Sequence, residues 1–228
     1  MSVSALDENR ERAAEQWRSL DAQWLEAFRQ AWEAFRTGNI GVGACVAQPD
    51  GRIVATSRNR VADAEGPIGE MFGTSVAHAE LNALAHLPFR HPREFILTTT
   101  LRPCLQCSAA IRMAPIAVVR IAGADPLWDG CSDFTGLAPW LARRGPVPTE
   151  GPRSDEVGAF GVLLSRFGLG LMPAVEEALR ELGDGDIIDV VQRLESTGRS
   201  TTLAALDLGD AFVEIWPDLH AACASSSL

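Results

Sequence analysis

One histidine and two cysteines in the middle of the chain have the spacing of a metal site. His78 is followed two residues later by Glu80. Cys104 and Cys107 form a C-x-x-C pair, and Pro103 precedes it. Imidazole and thiolate bind zinc well, and a catalytic zinc takes three protein ligands and leaves a fourth position for water. The sequence therefore predicts a catalytic zinc on these three ligands, with Glu80 as the general acid and base.

A purely structural zinc is the alternative interpretation of the same residues. Such a site usually has four protein ligands. The nearby candidates for a fourth ligand are His86 and His91. His86 lies eight residues after His78, which is about two turns further along a helix. The carboxylate of Glu80 beside the first ligand favours the catalytic interpretation.

The order of these residues resembles a known family. His78-Ala79-Glu80 and the later Pro103-Cys104-Leu105-Gln106-Cys107 are similar to the H-x-E…P-C-x-x-C signature of the zinc-dependent cytidine/deoxycytidylate deaminase superfamily. The form of the signature is closest to its branch of deoxycytidylate, nucleoside, guanine and tRNA-adenosine deaminases. The resemblance covers about residues 20–140. It implies a three-layer α/β/α sheet, zinc (Zn²⁺) as the cofactor, and a homo-oligomer such as a homodimer.

Two positions depart from the usual family pattern. Arg102 stands where many relatives have an acidic residue, and Leu105-Gln106 stands where they have Pro-Met. Both departures leave the zinc ligands unchanged, so they do not affect the prediction of zinc binding. They affect the prediction of which substrate is bound.

The resemblance to these deaminases implies the class of substrate. Zinc lowers the pKa of a bound water toward neutrality. The substrate carbon must carry an exocyclic amine in an amidine-like ring, because only such a carbon accepts hydroxide and then expels ammonia. We therefore expect an enzyme, a zinc-dependent hydrolase acting on the C–N bonds of cyclic amidines. Its substrate would be a small aminated heterocycle: a nucleoside, a free nucleobase, or a relative such as an aminotriazine.

Substrate contacts are predicted near this signature. The resemblance places Asn59 against the substrate ring or sugar, although an Asn after a strand is also an ordinary turn residue. The backbone N–H of Ala79 is placed to help hold the substrate. Trp128 is able to stack on a heterocycle, and Asp125 or Asp129 is able to accept from ring N–H groups. A polar surface loop with one packed tryptophan is the alternative for that last segment.

Hydrophobic periodicity predicts the elements that position these residues. Apolar residues three or four apart predict one helix from about Glu8 to Arg36. The following segments predict a β-hairpin over 40–48 and 52–58, a helix opening at 75–84, a strand over 95–101, a helix over 104–113 and a strand over 117–124. Because His78 and Cys104 each lie at a helix start, the metal would sit between two helix N-termini, whose dipoles favour thiolate.

A stretch rich in proline and glycine, 145–152, predicts a linker. We therefore divide the chain into a zinc deaminase core with its N-terminal helix, residues 1–148, and an acidic, mostly helical C-terminal extension, residues 149–228. The extension has helical spacing over 157–167, 174–182, 187–194 and 203–215. The fold class is α/β, a three-layer α/β/α cytidine-deaminase-like core. The resemblance does not extend to the extension, which is able to cap the pocket, form an interface or bind a partner.

Net charge and hydropathy indicate which classes of binding partner the protein has. The net charge is −10. From Glu150 onwards there are 14 acidic residues and 5 arginines. Binding to a nucleic acid gains affinity from neutralised phosphates, so this balance favours a small-molecule substrate and argues against a nucleic acid. No apolar run is long enough to span a membrane and no secretory signal is recognisable, so we expect no membrane association and a cytoplasmic protein.

Three alternatives stay open at this point. One is a deaminase of tRNA or another polynucleotide. The second is a deoxycytidylate deaminase, whose substrate phosphate would need an arginine such as Arg58, Arg60 or Arg102 near the pocket. The third, from another class, is a non-catalytic, zinc-stabilised binding protein.

Overall fold

A mixed sheet lies at the centre of the chain. The structure, a computed structural model, describes residues 3–88, 92–134, 136–167 and 173–225. The five strands have the spatial order β2-β1-β3-β4-β5. They are β1 (Gly43–Ala47), β2 (Ile53–Arg58), β3 (Phe95–Leu101), β4 (Ile116–Gly123) and β5 (Thr149–Glu150). β1 pairs antiparallel with β2 and with β3, whereas β3, β4 and β5 run parallel to one another.

Helices cover both faces of this sheet. On one face lie α2 (Ala22–Arg36) and α6 (Glu156–Arg166), and on the other lie α3 (Ala79–Ala85) and α4 (Leu105–Met113). The remaining helices are α1 (Val3–Arg18), α5 (Pro139–Arg144), α7 (Pro173–Leu179), α8 (Gly185–Ser196), α9 (Arg199–Ala204) and α10 (Leu208–Ser225). The predicted three-layer α/β/α core with a mostly helical C-terminal extension is confirmed.

The single N-terminal helix predicted over Glu8–Arg36 is wrong. The chain forms two helices there, α1 and α2, which are separated by residues 19–21. The Asp21 carboxylate accepts hydrogen bonds from the backbone N–H groups of Gln23 and Trp24, so it caps a new helix. An N-cap residue has extended backbone angles, which interrupts the helix although the apolar stripe continues through it.

The stretch predicted as a linker enters the sheet. Thr149 and Glu150 pair in parallel with Val119 and Arg120 of β4. Aromatic packing also crosses this point, because the ring of Phe160 in α6 stacks on that of Phe28 in α2 at 5.7 Å. The division of the chain at residues 148 and 149 stays a prediction. None of the helices in the described ranges has the length and apolar character that a bilayer span requires.

Candidate active site

Two helix starts bring the predicted metal ligands together. His78 is the N-cap residue of α3, and Cys104 is the N-cap residue of α4. Neither side chain makes a capping hydrogen bond to its own helix. Cys107 lies in the first turn of α4 and is fully buried. The three side chains therefore meet between the two helix N-termini, as the sequence predicted.

The spacing of the donor atoms fits tetrahedral zinc. His78 Nδ1 lies 3.5 Å from Sγ of Cys104 and 3.5 Å from Sγ of Cys107. Bond lengths of about 2.0–2.1 Å for Zn–N and about 2.3 Å for Zn–S require an N···S separation of about 3.5 Å in a tetrahedron. Among the described residues, these three form the group of potential metal ligands. The imidazole of His86 lies 3.7 Å from Glu70 instead, and His91 falls outside the described residues.

The two thiols differ strongly in acidity. The hydrogen bond from Cys107 and the neighbouring His78 lower the pKa of Cys104 to about 4. The same hydrogen bond, together with burial, raises the pKa of Cys107. For His78, burial lowers the pKa, but the hydrogen bond with Cys104 and the charge of Glu80 outweigh it and raise the value overall. Zinc binds thiolates, so a cation held here would displace the thiol protons.

Glu80 lies in the first turn of α3 and is 2% exposed. Its Oε2 lies 3.4 Å from Cys107 Sγ. Its Oε1 lies 3.1 Å from the hydroxyl of Thr99, which is also 3.2 Å from the carbonyl oxygen of Leu101. Burial raises the pKa of Glu80. A carboxyl group with a raised pKa exchanges protons more readily near neutral pH, which suits a general acid and base.

A cavity of about 630 Å³ opens beside these groups. His78, Glu80 and Cys104 line it, together with Asn59 and Trp128. Asn59 is 2% exposed, and its amide oxygen accepts a hydrogen bond from the backbone N–H of Val61 at 3.1 Å. Its amide nitrogen has no partner in the part of the chain that the structure describes. The structure thus brings two of the predicted substrate contacts to the predicted metal site.

The other two predicted contacts are not among the residues that line the cavity, although Ala79 lies between His78 and Glu80, which do line it. Asp129 is exposed, and its carboxylate pairs with Arg102 at 3.1 Å. The residue of this loop that lines the cavity with a carboxylate is Asp125, which is 3% exposed. Ala79 is the first residue of α3 and is fully buried. Roles for Asp129 and Ala79 in substrate binding stay predictions.

Four lining residues come from the C-terminal extension, and sequence reasoning missed them. They are Ser165 and Arg166 at the end of α6, and Val175 and Leu179 in α7. Helical periodicity tells which face of α6 is buried, but it does not tell which cavity that face reaches. The one cue was Arg166 itself, a charged residue inside the apolar run 162–167.

Arg58 and Arg60, which the sequence offered as phosphate ligands, are engaged in ion pairs. Arg58 pairs with Asp63 at 2.8 Å, and Arg60 pairs with Asp63 at 2.9 Å and with Glu70 at 2.5 Å. These pairs tie the loop after β2 to the end of that strand.

Comparison with known proteins points to one family. Residues 19–122 match the model of the cytidine and deoxycytidylate deaminase zinc-binding region. The tRNA-specific adenosine deaminase of Aquifex aeolicus is 30% identical over 103 residues, which are 43% of this chain and 62% of that protein. A tRNA(Ile)-lysidine synthase of Thermus thermophilus is 36% identical over 125 residues, which are 55% of this chain and 22% of that protein. The chain therefore spans less than two thirds of either relative.

Among solved structures, guanine deaminase from Nitrosomonas europaea is similar in fold. It is 20% identical with a TM-score of 0.46, over 64% of this chain and 84% of that chain. The matched family binds zinc, and His78, Cys104 and Cys107 are positioned to hold it. Residues 19–122, a little under half of the chain, are thus similar to the cytidine and deoxycytidylate deaminase zinc-binding region.

Proposed function

We propose that the protein is a hydrolytic deaminase that releases ammonia from a small aminated heterocycle. The substrate class is a nucleoside or a free nucleobase, with aminotriazines as chemical relatives. One observation carries this proposal: the carboxylate of Glu80 is buried directly beside a group of three metal ligands at the wall of a cavity. A metal that served only as a structural staple would have no use for such a carboxylate, and it usually has four protein ligands.

The ligands and Glu80 have separate tasks. His78, Cys104 and Cys107 would hold the zinc, which when bound would lower the pKa of a water toward neutrality. Glu80 takes up a proton and delivers it to the departing amine. Because the Thr99 hydroxyl lies against Oε1, the oxygen on the side of the ligands, Oε2, is the one that carries the proton.

Asn59 and Trp128 orient the heterocycle. The free amide nitrogen of Asn59 is able to donate to a ring nitrogen or a carbonyl oxygen. Its amide oxygen is held by Val61, so the amide group cannot turn freely. The half-buried indole of Trp128 offers an aromatic face to a flat ring. Both side chains position the substrate and take no proton from it.

A tRNA adenosine deaminase is the second candidate, and the sequence similarity to the Aquifex enzyme favours it. The net charge of −10 opposes it, because a polyanion gains affinity from cationic surface. Deoxycytidylate is a weaker candidate. Arg58, Arg60 and Arg102, the arginines suggested for its phosphate, all have carboxylate partners.

Ammonia release by the zinc-loaded protein tests the proposal. The panel contains nucleobases, nucleosides, nucleoside 5′-phosphates, aminotriazines and a tRNA, and the control is Glu80→Gln. We expect at least one small substrate to be turned over, and the variant to lose at least about 100-fold while it keeps its zinc. Parental activity in Glu80→Gln would contradict the role of Glu80. Turnover of tRNA alone, with binding that weakens steeply in salt, would establish the second candidate.

The assembly is also a proposal. We expect a homodimer, because the family resemblance implies an oligomer, and sedimentation equilibrium of the zinc-loaded protein tests it.

A further inference from the structure

The C-terminal extension supplies part of the wall of the cavity beside the metal ligands. Ser165 and Arg166 line it from the end of α6, and Val175 and Leu179 line it from α7. All four residues follow the family-matched segment, which ends at residue 122. This part of the wall therefore lies outside the segment that matches the zinc-binding region.

Helix α6 has a fixed position against the sheet. A Cβ atom at Gly161 would lie 2.2 Å from the carbonyl oxygen of Thr100, and one at Gly158 would lie 3.0 Å from that of Ala122. The backbone of α6 therefore touches the backbones of β3 and β4 directly. A helix in such close contact is unable to slide, and Arg166 at its end has a defined place.

A buried ion cluster joins this helix to both neighbouring segments. Arg166 pairs with Asp184, in the turn before α8, at 2.5 Å and with Asp125, in the loop after β4, at 3.4 Å. The side chains of Arg166 and Asp125 are each 5% exposed. Two carboxylates thus surround one guanidinium, so Arg166 has no charge left over for a substrate.

The cavity lining is therefore poorly suited to an anion. The other arginine among the described lining residues, Arg102, pairs with Asp129. A phosphate group would meet Glu80 and Asp125 on the same wall, and each of the two arginines of the described lining already has a carboxylate partner. Repulsion and the loss of water would both disfavour it.

The side chains that α7 adds are aliphatic. Val175 and Leu179 extend an apolar surface to which Ile40, Val42 and Leu127 also contribute. The volume of about 630 Å³ is in the range of pockets that bury drug-sized ligands, about 300–1,000 Å³. A nucleobase without a substituent would leave much of this apolar surface exposed to water.

We propose that the cavity selects an aminated heterocycle bearing an uncharged, apolar substituent, and that this substituent lies on Val175 and Leu179 of α7. The inference rests on the proposed deaminase function for the identity of the ring. In this arrangement Arg166 is a positioning residue. Its ion pairs with Asp125 and Asp184 hold three segments together: the end of α6, the loop after β4 and the turn before α8. Residues of α7 set the preference among substrates.

Binding of matched pairs of probes tests this inference. The pairs are adenine with 9-benzyladenine, guanine with 9-benzylguanine and cytosine with 1-benzylcytosine, and the parent nucleosides and 5′-phosphates complete the set. Affinities are measured by calorimetry on the zinc-loaded full chain carrying Glu80→Gln, so that turnover does not interfere. We expect at least one benzyl derivative to bind at least tenfold more tightly than its parent base and its 5′-phosphate.

Variants of α7 test whether this helix causes the preference for benzyl derivatives. Val175→Asp should reduce the benzyl-to-parent affinity ratio at least tenfold, and the nearly isosteric Val175→Thr should reduce it by a smaller factor. Ala174→Asp, which places the same charge on the neighbouring exposed position, should leave the ratio unchanged. The Thr variant keeps the test valid if the Asp variant does not fold.

Three results would overturn the inference: tightest binding of a 5′-phosphate, no preference for any benzyl derivative, or a preference that both Val175 variants retain. Ammonia release by the parent protein reports on the reaction separately. A benzyl preference without ammonia from any small substrate would retain the pocket inference and refute the small-substrate deaminase. Ammonia release without the preference would do the reverse.

Discussion

The hydroxyl of Thr99 in β3 lies 3.1 Å from Oε1 of Glu80, and both side chains are buried. The sheet thus holds one oxygen of the carboxylate, while the other faces the metal ligands. Removing the hydroxyl frees the carboxyl group to rotate and leaves one of its oxygens without a donor.

Thr99→Val should therefore lower kcat about tenfold, because the proton carrier is no longer held in one orientation. Zinc content and KM should change little, since the ligands and the cavity wall stay in place. Steady-state kinetics with metal analysis checks this expectation. Thr99→Ser restores the hydroxyl and should recover most of the loss, and a loss of equal size in both variants would refute the positioning role.

Loss of either thiolate should remove the metal. Cys107→Ser should reduce bound zinc from about one per chain to a small fraction, because a serine hydroxyl does not match a thiolate as a zinc ligand. Atomic absorption after dialysis against a weak chelator measures the effect. Cys131→Ser is the matched control, since Cys131 is a free cysteine outside the ligand group. Full zinc in Cys107→Ser would show that the three-residue ligand set is wrong.

Arg166→Met should strongly destabilise the fold. The variant leaves the carboxylates of Asp125 and Asp184 without their buried cation, and breaking a buried pair in this way costs about 3–5 kcal/mol. Urea unfolding gives the free energy of unfolding. In Arg199→Met the lost partner is Glu214 in an exposed pair, so less than about 1 kcal/mol should be lost. Equal effects in the two variants would mean that the buried cluster has no special role.

Asp63 should make stability depend on pH in the acidic range. Burial alone would raise the pKa of Asp63, but hydrogen bonds from Asn39, Arg58 and Arg60 lower it below its ordinary value of 3.8. A carboxyl group whose pKa is lower in the folded state stabilises the protein above the unfolded-state pKa, and this contribution is lost as the pH falls through the folded-state pKa.

The difference in unfolding free energy between the parent and Asp63→Asn should accordingly be constant above about pH 5 and shrink as the pH falls below about 4. Comparing the two proteins cancels the effect of zinc release, which acid promotes in both. A difference that stays constant down to pH 3 would show that Asp63 gains nothing from its three donors.

The parts of this fold that the sequence predicted are those with a local signal. His78 and Cys104 lie at helix starts, so their ligand pattern and the helix positions supported each other. Six of the seven residues of β3 are buried, and every residue of this strand is apolar or a β-branched threonine, which is typical of a strand. By contrast, β5 has two residues, and no periodicity exists in so short a strand. The break before α2 depends on the cap that Asp21 forms. The apolar stripe continues through this break, so hydrophobic periodicity predicted one continuous helix.

The contacts of the extension with the cavity could not be predicted for a different reason. Which cavity Val175 and Arg166 reach depends on how α6 and α7 pack on the sheet, and this is a tertiary property. The same holds for Asp125 and Asp129. Both carboxylates belong to the same short loop, and only the fold places Asp125 in the cavity wall and Asp129 in contact with Arg102.

Phe160 of α6 lies within 5.4–6.1 Å, measured between ring centroids, of Phe28, Trp17 and Phe212. These rings come from residues before, inside and after the segment that matches the family. A fragment that consisted of residues 19–122 alone would therefore keep Phe28 but lose the other three rings of this aromatic cluster. The segment that matches the family is therefore smaller than the unit that packs together, and part of the surface that covers the sheet comes from outside that segment.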